Sequence, residues 1–139
     1  MAPPAVADLD GACMPAIVFH TYAWNYCGDG VLRAVRGDGS GRLFSVTDPR
    51  WRTMPGSGIA IGNIDADPAP EIVTCASGGG ACFSSPPTGQ LIAFEGDGRF
   101  KWLSSDSRIV CGEGTGPALA DLDATPAQYG GSNYYVFAL

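Results

Sequence analysis

One acidic phrase occurs three times in this 139-residue chain, and its recurrence restricts the fold more than any other feature. Residues 3–11 read PPAVADLDG, residues 58–66 read GIAIGNIDA and residues 116–124 read GPALADLDA, and the three superpose without gaps. Asp8, Asn63 and Asp121 correspond, 55 and then 58 residues apart. The match continues downstream, PAIVF (15–19) with PEIVT (70–74) and LRAVRGDG (32–39) with LIAFEGDG (91–98), then RLF (42–44) with FKW (100–102). A period of this length marks stacked supersecondary units, none of which buries its apolar face alone.

Each unit reads as four short strands. The first is small and apolar and ends in the acidic loop, as in Ile59 to Ile64. The second is EIVTCA, beginning at Glu71. The third, QLIAFE, sets Leu91, Ala93 and Glu95 on one face and Ile92 and Phe94 on the other, the period of two that a strand imposes. The fourth, RFKWLS, follows across a GDG turn whose Gly and Asp accept positive φ and suit a hairpin. Twenty Gly and eleven Pro demand frequent turns, and no long stretch carries a 3.6-residue period, so almost no helix is expected. The pattern predicts an all-β chain of four-stranded antiparallel blades of a β-propeller, about two and a half of them. The blades span residues 1–57 and 58–115, with a partial third at 116–139.

These words resemble the FG-GAP/VCBS repeats, the family that includes the integrin α-subunit propeller. ADLDGACMPAIVF, GNIDADPAPEIVT and ALADLDAT are similar to its loop, D-x-D-x-D-G-x-x-E/D followed by Ile or Val. The Phe-Gly and Gly-Ala-Pro words are missing, so the VCBS-like variant is closer. The resemblance covers essentially the whole chain and implies a calcium-binding propeller that serves adhesion, protein interaction or self-assembly.

Calcium takes six to eight oxygens, which a short loop delivers by alternating side chains around a carbonyl. The second loop offers such a set: Asn63, Asp65, Asp67, the Ala69 carbonyl and Glu71, at positions 1, 3, 5, 7 and 9. It departs from the family at position 6, where Pro68 replaces Gly and cannot take a positive φ. The first loop keeps Asp8 and Asp10 but has Ala12 and Ala16 at positions 5 and 9. The third keeps Asp121 and Asp123, followed by Thr125 and Tyr129. In these two degenerate loops the two aspartates, with backbone oxygens and water, make weak calcium sites at best, and the competing expectation is that they accept backbone N–H bonds and cap the turn.

Net charge is −6, and the eight Lys and Arg form no run, so no nucleic-acid partner is expected. No apolar run is long enough for a membrane span. MAPPAVADLD lacks the basic and apolar regions of a secretory signal, so the chain is cytosolic or has had a signal removed. Cys13, Cys27, Cys75, Cys82 and Cys111 include no CxxC pair, and with one His they make a poor zinc set. Two disulfides and a spare thiol fit better and favour an extracellular or cell-surface location. Strand order places Cys13 on one face and the other four on the opposite face. CASGGGAC lets Cys75 close onto Cys82, leaving Cys27 or Cys111 over, and the connectivity stays open.

Arg36-Gly37-Asp38 is the tripeptide that integrins recognise, yet it aligns with the Glu95-Gly96-Asp97 turn and reads as an ordinary hairpin. His20 has no Ser/Asp or Cys partner set around it and reads as a packing residue. Tyr22, Trp24 and Tyr26 read as blade core in preference to a stacking platform for a protein or glycan ligand. The expected function is therefore non-catalytic, with the propeller of a calcium-dependent polysaccharide lyase as the alternative. A closed propeller needs more blades than these units supply. The expected partners are further copies of the chain or the rest of a longer propeller.

Overall fold

The computed structural model describes residues 2–24, 28–77, 89–106, 109, 111, 114–121 and 134–138. Its strands are β1 (Ala5–Ala7), β2 (Ala16–Thr21), β3 (Val31–Arg36), β4 (Arg42–Ser45), β5 (Ala60–Gly62), β6 (Glu71–Cys75), β7 (Leu91–Phe94), β8 (Phe100–Leu103), β9 (Pro117–Asp121) and β10 (Tyr134–Ala138). They form two four-stranded sheets, β1-β2-β3-β4 and β5-β6-β7-β8, and a two-stranded pair, β9-β10. Every pairing is antiparallel. Among the described residues there is no α-helix, only a 3-10 turn at Pro49–Trp51. It starts at Asp48, whose side chain accepts the Arg50 N–H at 2.9 Å.

The two large sheets share more than strand order. Ala7 faces Ala16 in the first, and Gly62 faces Glu71 in the second. Each has a register shift between its third and fourth strands. Val35 pairs with Arg42 and Ala34 with Phe44, which leaves Leu43 over. Phe94 pairs with Phe100 and Ala93 with Trp102, which leaves Lys101 over. A bulge of this kind re-aims the side chain of the extra residue.

Period-two alternation splits the second sheet between two cores. Ile72, Ile92 and Phe94 pack with Leu9, Ala16, Val18, Leu32, Ala34 and Val46 of the first sheet and its loops. Val73, Cys75, Leu91 and Ala93 pack on the other face with Met54 and Cys111, backed by Ile109 and Leu119. All residues of β6 and β7 are buried. Each large side chain hidden this way contributes about 1.5–3 kcal/mol before chain entropy is counted. Among the described residues the first sheet is covered on one face only: Ala16, Val18 and His20 are buried, whereas Ile17 and Phe19 between them are partly exposed.

The first strands of the units lie together, β5 lying against both β1 and β9. Gly58 and Gly116 meet there so closely that a Cβ on Gly116 would stand 2.8 Å from the Gly58 Cα. No residue but glycine fits that approach.

The segment leaving each sheet is clipped back in the same place by different chemistry. Thr53 bridges Gly30 and Ala76, and Cys111 bridges Gly89. In the first sheet His20 Nδ1 hydrogen-bonds Thr53 Oγ1 at 2.9 Å. At the matching strand position of the second sheet, Cys75 forms a disulfide with Cys111. The local Cys75–Cys82 closure is thus replaced by a link from β6 to the segment after β8. Cys27 and Cys82 lie outside the described residues, and Cys13 is a free, exposed thiol.

His20 does more than pack. Its Nε2 also reaches Thr74 Oγ1 of the second sheet at 3.3 Å. Thr74 donates to the Gly58 carbonyl at 2.9 Å, and Ser57 Oγ lies 3.1 Å from Thr74 Oγ1. Trp24, expected in the core, is 94% exposed and Tyr22 is 43% exposed, while Tyr26 falls outside the described residues. Trp51 takes the inter-sheet aromatic role instead, stacking on Phe100 with ring centroids 3.7 Å apart.

Burial lowers the His20 pKa from its ordinary 6.5 to about 4. The unfolded chain therefore takes up a proton that the folded chain refuses between these values. Stability is full above pH 6.5, falls as pH drops toward 4, and is flat below for this group. Between pH 6.5 and 5.0 the wild type should lose about 2 kcal/mol more than His20→Gln in urea unfolding. Parallel profiles for the two proteins would contradict the assignment. Non-reducing peptide mapping should recover Cys75 joined to Cys111, with Cys13 alkylated. Their joint replacement by Ser should cost about 3 kcal/mol, and a Cys75–Cys82 peptide would refute the pairing.

Candidate metal centre

The second acidic loop is built by side chains folding back on their own backbone. Asn63 Oδ1 accepts the Asp65 N–H at 3.1 Å, Asp65 Oδ1 the Asp67 N–H at 2.9 Å, and Asp67 Oδ1 the Ala69 N–H at 2.8 Å. The Asn63 side-chain amide closes the ring by donating to the Asp67 carbonyl. This succession of Asx turns follows from Asn or Asp at every second position. Glu71, at the head of β6, is fully buried, and its Oε2 accepts the Ile64 N–H at 2.7 Å. One carboxylate oxygen from each of Asp65, Asp67 and Glu71 lies within 4.8 Å of the others. These oxygens can converge on one metal ion, with Asn63 and Ala69 in the same loop.

A cation already stands among them. Lys101, the extra residue of the β8 bulge, donates from Nζ to Asp65 Oδ2, to Glu71 Oε1 at 3.3 Å and to Glu95 Oε1 at 3.0 Å. Glu71 and Glu95 sit side by side because Ile72 pairs with Phe94 in the adjoining strands. The Lys101 side chain is 16% exposed. Burial works to lower its pKa, but hydrogen bonds to Asp65, Glu95 and Glu71 outweigh that and hold it above the ordinary lysine value. The Lys101 ammonium and the Asp67 N–H together lower the Asp65 pKa. Four carboxylates, Asp65, Asp67, Glu71 and Glu95, share this corner with the Lys101 ammonium, and the Arg99 guanidinium acts on Asp67 and Glu95 from farther away, so the corner keeps a negative excess.

The first loop has no such convergence. Asp8 accepts the N–H groups of Asp10 at 3.3 Å, Gly11 at 2.9 Å and Cys13 at 2.9 Å. Desolvation is the largest single influence and raises its pKa, yet these bonds and one from Asp10 together outweigh it and lower the pKa overall. Asp10 accepts the Ala12 N–H at 3.0 Å and stands 3.9 Å from Arg36. Both aspartates thus cap the turn. Cys13 adopts φ 56°, the left-handed conformation that Pro68 cannot take at the matching place. Asp121 is the last residue of β9, opposite Tyr134, and Asp123 lies outside the described residues.

The loop motif by itself does not point to Lys101 or Glu95, which lie 30 and 24 residues beyond Glu71. One signal was available, since Lys101 is the only lysine in the sequence. The Arg36-Gly37-Asp38 segment is a turn at the end of β3, where Asp38 accepts the Ser40 N–H at 2.8 Å. On the opposite side a hollow of about 470 Å³ is lined by Thr21, Tyr22, Asp29, Val31, Arg33 and Arg52. Arg33 there is held by the hydroxyls of Thr21 and Ser45, at 2.8 and 2.7 Å.

No protein-family model matches this chain, and no curated protein or solved structure matches it significantly.

Proposed function

We propose that this chain is a non-catalytic, extracellular scaffold of propeller blades of the FG-GAP/VCBS kind. It binds calcium in its second acidic loop. It acts through protein contacts, with further copies of itself or the rest of a longer propeller as partner. The observation that carries the reading is the convergence of Asp65, Asp67 and buried Glu71, which gathers the hard oxygens calcium takes close enough to share one cation. The adjacency of β1, β5 and β9 supports the propeller arrangement, because the first strands of successive blades would line its axis. The disulfide supports an oxidising location. The only histidine is engaged in joining two sheets, which supports a structural role over a catalytic one.

The face of the first sheet that no other described residue covers supports the choice of partner. Val6 is 63% exposed there, beside the partly covered Ile17 and Phe19, whereas the second sheet has apolar neighbours on both faces. Another sheet laid on this face would remove that apolar surface from water.

Calorimetry tests the calcium reading. Wild type should bind one ion at roughly 10⁻⁴–10⁻³ M, as extracellular modules do, and Asp65→Ala should lose that site. Equal heats for the two proteins would reject it. Sedimentation of the chain at micromolar concentration should show assemblies larger than one copy. A stable, well-folded monomer would remove the case for self-association.

A further inference from the structure

We propose that Lys101 is the resident cation of the second acidic loop and the gate on metal entry. Metal and ammonium compete for Asp65 and Glu71, so binding one expels the other. The inference rests on the calcium reading above and adds its control.

Three observations carry it. The Lys101 ammonium bonds Asp65 and Glu71, two of the three residues whose oxygens converge, and an ion bound there would meet its full positive charge. The lysine reaches this position through a strand bulge, which turns the extra residue out of the ordinary alternation. The first sheet has the same bulge without the charges. There Leu43 stands in place of Lys101 and Ala16 in place of Glu71, and the first loop is closed by its own backbone bonds. Ammonium and buried carboxylate thus occur together in one sheet and are absent together in the other. A buried Glu71 needs a positive partner. Lys101 provides one without metal, and calcium provides one when it binds.

The exchange has a physical basis in the charge count. With Lys101 in place the loop is held and only partly neutralised. When calcium enters, the flexible lysine stem can carry its ammonium back to water, where it is strongly hydrated. The gate therefore lowers apparent calcium affinity and keeps the loop ordered when calcium is scarce.

Two measurements test this. In the first, calcium is titrated into wild type and Lys101→Met by calorimetry, with urea unfolding of both in chelator. Lys101→Met should bind calcium roughly tenfold tighter or more, unfold at lower urea without metal, and regain its midpoint with calcium. Equal affinities would overturn the gate and leave the calcium reading intact. Binding by the variant alone would support the gate. No binding by either protein would end both proposals. The second measurement uses wild type alone and stands even if the variant fails to fold. Lys101 is the sole lysine, so its acylation by an amine-selective reagent can be followed by peptide mass spectrometry. Its reaction should be slow in chelator and accelerate roughly tenfold or more at saturating calcium, as the ammonium leaves its three carboxylates. Bound calcium with an unchanged acylation rate would overturn the proposal.

Discussion

The structure depends on the burial of its second sheet on both faces. β6 and β7 place Ile72, Ile92 and Phe94 against the first sheet and Val73, Leu91 and Ala93 against the other side. A strand covered on both sides cannot alternate apolar and polar residues, and Glu71–Cys75 and Leu91–Phe94 are buried throughout. The polar groups that do enter this layer are accordingly bonded. Thr74 reaches His20, Ser57 and the Gly58 carbonyl, and Glu71 reaches Lys101 and the Ile64 N–H.

Sheet stacking also explains why each sheet needs a clip at the end away from the acidic loops. The chain must leave one sheet and start the next without exposing unpaired backbone in the seam. Thr53 solves this by bridging Gly30 and Ala76, with His20 holding its hydroxyl. Cys111 solves it by bridging Gly89, with Cys75 holding its sulfur. The hydrogen-bonded clip responds to protonation and the covalent clip responds to reduction. One architecture thus carries two different environmental sensitivities.

At the opposite end the limiting quantity is charge. Glu71 is buried by the same stacking that hides Ile72, and an unpaired carboxylate there would be costly. The ammonium from β8 meets that need, and the corner retains more negative than positive groups. Internal ion pairing thus satisfies the one buried carboxylate of this loop. The first loop has no buried carboxylate at the corresponding Ala16 and closes with backbone hydrogen bonds to Asp8.

The strands, the hairpins and the nearness of Asp65, Asp67 and Glu71 were legible in the sequence because they arise from local rules. Alternation over QLIAFE, the GDG turns and the spacing of Asn63, Asp65 and Asp67 each act within a few residues. The observed strands are shorter at their ends, β5 covering Ala60–Gly62 of the expected Ile59 to Ile64, since pairing stops where the Asx turns begin. What the tertiary structure decided involves partners far apart in sequence. Cys75 chose Cys111 over nearby Cys82 because the segment after β8 returns beside β6. His20 became a bridge because Thr53 and Thr74 arrive from two different segments. Trp24 stayed outside because the sheets fill their seam with residues from the strands, and Trp51 covers Phe100 at its edge. Lys101 reached the acidic loop through a one-residue bulge, a feature that leaves no periodic trace yet redirects a side chain. Local periodicity determined which elements form; the register and stacking of the sheets decided which buried groups meet.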